Sequence, residues 1–119
     1  MWIFHQATGA VEHKGKAAAG GYSGSRSLEI NLQEAMQYYG PIPRGSYTIG
    51  RSFSTKSKDY VLSLAPLGHN AHGRTEFLIH GDYIDARKKG SASEGCIILP
   101  LDVRKAIWDS LDRIMSVQL

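Results

Sequence analysis

Hydrophobic residues along the chain come in short bursts separated by glycine, proline and small polar residues, which is the texture of a β-rich fold. WIFHQ, a turn at Ala7-Thr8-Gly9 and AVEHKG predict an opening hairpin with glycine in the turn. The following GKAAAGGYSGSRS has neither alternation nor large apolar residues and is expected to be loop. Asn31 and Glu34 have the spacing of a capping box, predicting a short helix that Gly40 and Pro41 end near Tyr39. In GPIPRGSYTIGRSF the prolines hold off regular structure until a strand at Tyr47-Thr48-Ile49. YVLSLAPL and FLIHG read as further strands, and CIIL as a short buried one. Asp102 is the expected N-cap of a helix over VRKAIWDSLD, with Val103, Ala106, Ile107 and Leu111 on its apolar face, before a closing strand in RIMSVQL. The pattern predicts a mainly β, α+β domain with two short helices.

The 119 residues, 42% hydrophobic and 21% charged, suffice for one core without disulfide support, and no repeat, linker or low-complexity boundary divides residues 1–119. A formal charge of +3 gives a mildly basic surface suited to carboxylate-rich partners. Its 14 Lys and Arg are dispersed, the longest basic run being Arg87-Lys88-Lys89, which argues against nucleic acid as a partner. No apolar run reaches the roughly 18 residues of a membrane span, and the N-terminus lacks the basic start and apolar stretch of a secretory signal. The expectation is a chain made in the cytosol with no membrane span.

Candidate chemistry centres on SASEGCIILP, which contains the single cysteine. Cys96 follows a glycine and opens an apolar run, so it lies at the mouth of a strand. A lone cysteine is either a small buried hydrophobe or a reactive thiol. Gly95 permits close backbone approach to a substrate, and successive amides in such a turn converge into an oxyanion hole. A thiol also needs a base, and His80 ends the strand FLIH. Spacing alone leaves open a structural histidine and a core cysteine.

Ile79-His80-Gly81 followed by Ser93-Glu94-Gly95-Cys96 resembles the signature of L,D-transpeptidases of the YkuD type. Gly21-Tyr22-Ser23-Gly24, GPIPRGSYTIG over residues 40–50, Gly73-Arg74, FLIHGD over residues 77–82 and GCIILP over residues 95–100 resemble more narrowly the small L,D-transpeptidase-like effectors delivered by bacterial type VI secretion. The resemblance implies an L,D-transpeptidase-like β-sandwich and a cofactor-free thiol acyl transfer on peptidoglycan stem peptides. In it Cys96 is the nucleophile and His80 the base, oriented by the Gly81 backbone carbonyl. Glu94 and Gly95 contribute backbone N–H groups to the oxyanion hole. It further implies a periplasmic site of action in target bacteria, a cognate periplasmic immunity protein and delivery by the type VI machinery.

Two positions depart from the general pattern: Glu94 replaces a histidine, and Ile98 replaces an arginine that often follows the cysteine. Another cation must then hold the substrate carboxylate, and Arg74 is the candidate, with a solvated surface arginine as the alternative. Asp82 beside the base, Ser93 in the loop, and Tyr22 and Ser23 in the small-residue segment complete the expected substrate-binding set. Three rival readings stand beside this one. A zinc site, as in a zinc-dependent cell-wall peptidase, would draw on His69, His72, His80, Asp82 and Cys96, but it lacks a CxxC or HExxH pattern. A papain-like amidase would place its cysteine before its histidine. A non-catalytic cell-wall binding module would need neither group.

Overall fold

The computed structural model describes residues 1–18, 20–23, 41–55, 58–74, 77–81 and 96–119. The expected helix over residues 31–39 lies outside them. Nine strands are described: β1 (Trp2–His5), β2 (Val11–His13), β3 (Lys16–Ala18), β4 (Tyr22–Ser23), β5 (Gly45–Thr55), β6 (Lys58–Leu67), β7 (Phe77–His80), β8 (Ile97–Ile98) and β9 (Ile114–Gln118), together with helix α1 (Leu101–Asp109). They form one mixed sheet in the order β3-β2-β1-β9-β5-β6-β7-β8-β4. The β1–β9 and β7–β8 pairs are parallel and the others antiparallel.

This order forces the sheet to curl. Laid flat, nine strands would hold β3 and β4 roughly 38 Å apart at about 4.8 Å per step. Yet β3 and β4 are consecutive in the chain, and four residue steps reach at most about 14 Å. The closure is visible as a seam of glycine backbone: Gly21 N–H donates to the Gly9 carbonyl at 2.8 Å, and Gly21 also lies against the Ile98 carbonyl, where an added Cβ would overlap it. Gly20 and Gly21 therefore have no room for a side chain, because backbones meet there: an added Cβ would overlap the Gly9 carbonyl at one and the Ile98 carbonyl at the other.

The core follows from strand alternation. Trp2 and Phe4, Met115 and Val117, Tyr47 and Ile49, Leu62 and Leu64, Phe77 and Ile79, and Ile97 form a buried row across six adjacent strands, in register through pairs such as Phe4 with Val117 and Ile79 with Ile97. Helix α1 packs against β6 and β7 through Val103, Arg104 and Ile107.

Several local expectations are corrected. Part of the small-residue segment is strand, β3 and β4, because pairing with β2 and β8 supplies what local propensity lacks. The strand at Tyr47 extends over Gly45–Thr55, with a register shift between Ile49 and Ser52 that breaks its alternation. The N-cap of α1 is Pro100, and Asp102 sits in the first turn, where its charge complements the helix dipole without a capping hydrogen bond. Ala106 is exposed and Leu111 lies beyond the helix, 79% exposed, so neither belongs to the core. Arg104 takes the buried position instead.

Candidate functional site

Residues 41–43 form an irregular strap that is wholly buried, so its backbone groups need partners other than water. Side chains supply them. Arg74 Nη1 donates to the Pro41 carbonyl at 2.6 Å, and Gln6 Nε2 donates to the Ile42 carbonyl at 2.8 Å. The Ser23 hydroxyl accepts from the Ile42 N–H at 2.8 Å, and the Tyr47 hydroxyl donates to the Pro43 carbonyl at 2.7 Å. Arg74 is only 3% exposed, with its guanidinium 5.5 Å from the centre of the Phe77 ring. Two residues expected to bind substrate, Arg74 and Ser23, are thus tied to this strap.

The β7–β8 pair places the candidate nucleophile beside the candidate base. Ile79 pairs with Ile97 and His80 with Ile98 in parallel register, and carrying that register one step back, just outside β8, sets Leu78 across from Cys96. Residues 78, 80, 96 and 98 therefore share one face of the sheet, opposite the Ile79–Ile97 core row. His80 and Cys96 are diagonal neighbours, a relation that spans about 7–8 Å between backbones and lies within side-chain reach. Antiparallel pairing of Tyr22 with Ile98 brings Tyr22 onto the same face, while Ser23, paired with Ile97, turns to the other. The described site face is thus built from His80, Cys96, Ile98 and Tyr22.

The hydrogen bonds at His80 define its protonation pattern. Its Nδ1 lies 2.8 Å from the Gly81 carbonyl oxygen. A carbonyl only accepts, so Nδ1 carries the proton, and in the neutral ring Nε2 is the basic nitrogen. The His80 carbonyl in turn accepts from Leu99 N–H at 3.0 Å, which extends the ladder past the end of β8. Cys96 is half-buried and forms no disulfide. Asp82, Ser93, Glu94 and Gly95 lie outside the described residues.

Arg104, which the apolar pattern of the sequence does not single out, is 5% exposed. Its Nε donates to the Leu99 carbonyl at 3.0 Å, and its Nη1 donates to the carbonyls of Asp59 and, at 3.4 Å, Tyr60. Burial lowers its pKa and the Asp59 charge opposes that shift. The available signal was its place between Val103 and Ile107 on the apolar side of α1, outweighed by the usual expectation that arginine faces water.

The histidines of the zinc reading are held otherwise. His69 Nδ1 accepts from the Ala71 N–H at 3.1 Å, which places the ring proton on Nε2, 2.9 Å from the Ser46 carbonyl. Both nitrogens are committed to backbone, so metal ligation would break one of these bonds. His72 is exposed. Among the described residues no three potential ligands come together, and no helix is long and apolar enough to cross a membrane. The chain matches no protein-family model and no curated protein.

Proposed function

We propose that this protein is a cysteine-dependent enzyme acting on peptidoglycan stem peptides, with L,D-carboxypeptidase and L,D-transpeptidase chemistry on a curled, L,D-transpeptidase-like sheet. The observation that carries the reading is the shared face of His80 and Cys96 in the β7–β8 pair, with His80 Nδ1 engaged by the Gly81 carbonyl. The basic Nε2 takes the thiol proton, and the thiolate attacks the carbonyl of the third stem residue. Backbone N–H groups of residues 94–96 receive the oxyanion, each such donor being worth roughly 3 kcal/mol. Collapse expels the terminal D-alanine as an amine that recovers the proton from His80. The thioester left on Cys96 passes to water, giving a shortened stem, or to an amine, giving exchange or a cross-link. Of the expected substrate contacts, Tyr22 shares the site face, whereas the hydrogen bonds of Ser23 and Arg74 point to support of the 41–43 strap. The stem class comes from the sequence resemblance, as do action in the periplasm, type VI delivery and an immunity protein that covers the cleft.

Mass spectrometry of tetrapeptide muropeptides incubated with the protein, with and without an added D-amino acid, tests this. Expected are loss of the terminal D-alanine and its replacement by the added residue, both abolished by Cys96→Ala and by His80→Ala. Release of the whole stem from the sugar, or full activity in Cys96→Ala, overturns it. Binding of intact peptidoglycan without turnover would indicate a non-catalytic module.

A further inference from the structure

Gly81 supplies the carbonyl that meets His80 Nδ1, and its φ lies outside the left-handed region, so its backbone conformation is open to other residues. What requires glycine there is space. A Cβ built on Gly81 would sit 2.9 Å from Arg104 Nη2. That guanidinium has little room to retreat, because its Nε and Nη1 hold the carbonyls of Leu99, Asp59 and Tyr60, joining α1 and the chain after β8 to the start of β6. Leu99 is also the residue whose N–H binds the His80 carbonyl. One buried cation therefore fixes the peptide on either side of the base: it is packed against Gly81, and it grips the residue that hydrogen-bonds His80.

We infer that Arg104 is the positioning residue of the His80–Cys96 pair: by packing against Gly81 and gripping the Leu99 carbonyl it keeps both peptides in the register that orients the His80 ring, and so sets how readily Cys96 ionises. The inference rests on the Cys–His reading above. Arg104 touches neither substrate nor the reacting atoms. Its action runs through the Gly81 carbonyl and through a buried positive charge that favours thiolate over thiol. The charged group that faces it is Asp59 at the start of β6, which attracts it and opposes the lowering of the Arg104 pKa by burial. α1 contributes Arg104 itself.

The rate of Cys96 alkylation by iodoacetamide, measured against pH, reads this out directly, since the chain has a single cysteine. In the wild type the midpoint should lie below the ordinary thiol value of about 8.5, and His80→Ala should raise it. Arg104→Gln should raise it too, slowing alkylation at pH 7 on the order of tenfold, while Arg104→Lys recovers part of that loss. Gly81→Ala, which displaces the guanidinium without removing its charge, should shift the midpoint in the same direction and add little in the Arg104→Gln background. It also serves as the folded test should Arg104→Gln fail to fold. If the wild-type midpoint is depressed and depends on His80, yet Arg104→Gln or Gly81→Ala lowers only the melting temperature, Arg104 is structural and this inference fails alone. If the wild-type midpoint is ordinary and indifferent to His80→Ala, the Cys–His reading fails and the inference with it.

Discussion

Replacing Arg74 by methionine separates two roles for this residue, the substrate cation expected from sequence and the support of the 41–43 strap seen in the fold. Arg74 is 3% exposed, and its guanidinium donates to the Pro41 carbonyl at 2.6 Å and lies over Phe77 at 5.5 Å. Methionine keeps much of the apolar stem but leaves the buried Pro41 carbonyl without this donor. Losing a hydrogen bond from a charged group costs about 1.5–3 kcal/mol. The contact with the Phe77 ring adds on the order of 1 kcal/mol. A loss of about 2–4 kcal/mol is large against the roughly 5–15 kcal/mol of a domain this size. At roughly 4 °C per kcal/mol the melting temperature should fall by about 8–16 °C. Thermal unfolding followed by circular dichroism measures this, and stem-peptide kinetics at a temperature where both proteins are folded complete the test. The strap role predicts a large fall in Tm with KM nearly unchanged. An unchanged Tm with a KM raised tenfold or more would refute it and restore Arg74 as the carboxylate partner.

Three further outcomes follow from the same geometry. The N-terminal amine, His13 and the Ile114 N–H hold the Asp112 pKa down from 3.8 to about 2; because the folded value is the lower one, the stabilisation is present above about pH 4 and disappears as pH falls toward 2. Screened near the surface it amounts to about 1 kcal/mol, so urea midpoints of wild type and Asp112→Asn should differ at pH 6 and converge at pH 2, whereas a constant gap would contradict the linkage. Leu111 has φ +62° and is 79% exposed, so Leu111→Gly should stabilise by on the order of 0.5–1 kcal/mol in urea titration, and a lowered midpoint would show that its side chain makes stabilising contacts. Gly21→Ala drives a methyl into the Ile98 carbonyl while Gly15→Ala meets nothing within 4 Å, so the first should cost more than about 3 kcal/mol and the second only about 1 kcal/mol for its positive φ; equal melting temperatures would mean that the seam opens easily.

The sequence made legible those elements whose alternation is driven by burial. Trp2 and Phe4, and Met115 and Val117, each alternate with less buried neighbours, and Leu62 and Leu64 flank the less buried Ser63; each pair marks a strand that the fold contains. β3 and β4 carried no such signal, because Lys16, Ala17, Tyr22 and Ser23 become strand only when β2 and β8 offer partners far away in the chain. The cap of α1 misled for a local reason: Asp102 has the right chemistry, but Pro100 already fixes the backbone angle that begins the helix. Leu111 fits the apolar period of α1 only if the helix continues, and it stops at Asp109. At the site, the residue types of His80 and Cys96 were readable, but their common face depends on strand register, which no local pattern encodes. Arg104 was hidden for a related reason, since its three carbonyl partners come from β6 and the end of β8.

The shortness of β8 links this topology to the proposed chemistry. In a parallel pair, the last residue of one strand and the residue preceding the next lie at opposite ends, and every added pair would separate them by about 3.3 Å. β8 has only two residues, so His80 at the end of β7 and Cys96 just before β8 remain diagonal neighbours. What stabilises so short a strand is its flanks: β7 on one side, Tyr22 and Ser23 on the other, and the Leu99 N–H bonded to the His80 carbonyl beyond its end. Tyr22 and Ser23 are positioned by the glycine seam that closes the sheet, where Gly21 meets Gly9 and Ile98. The small residues of this segment are therefore part of what brings thiol and imidazole together: a bulkier residue at Gly21 would push β4 from β8 and loosen the strand that Cys96 immediately precedes.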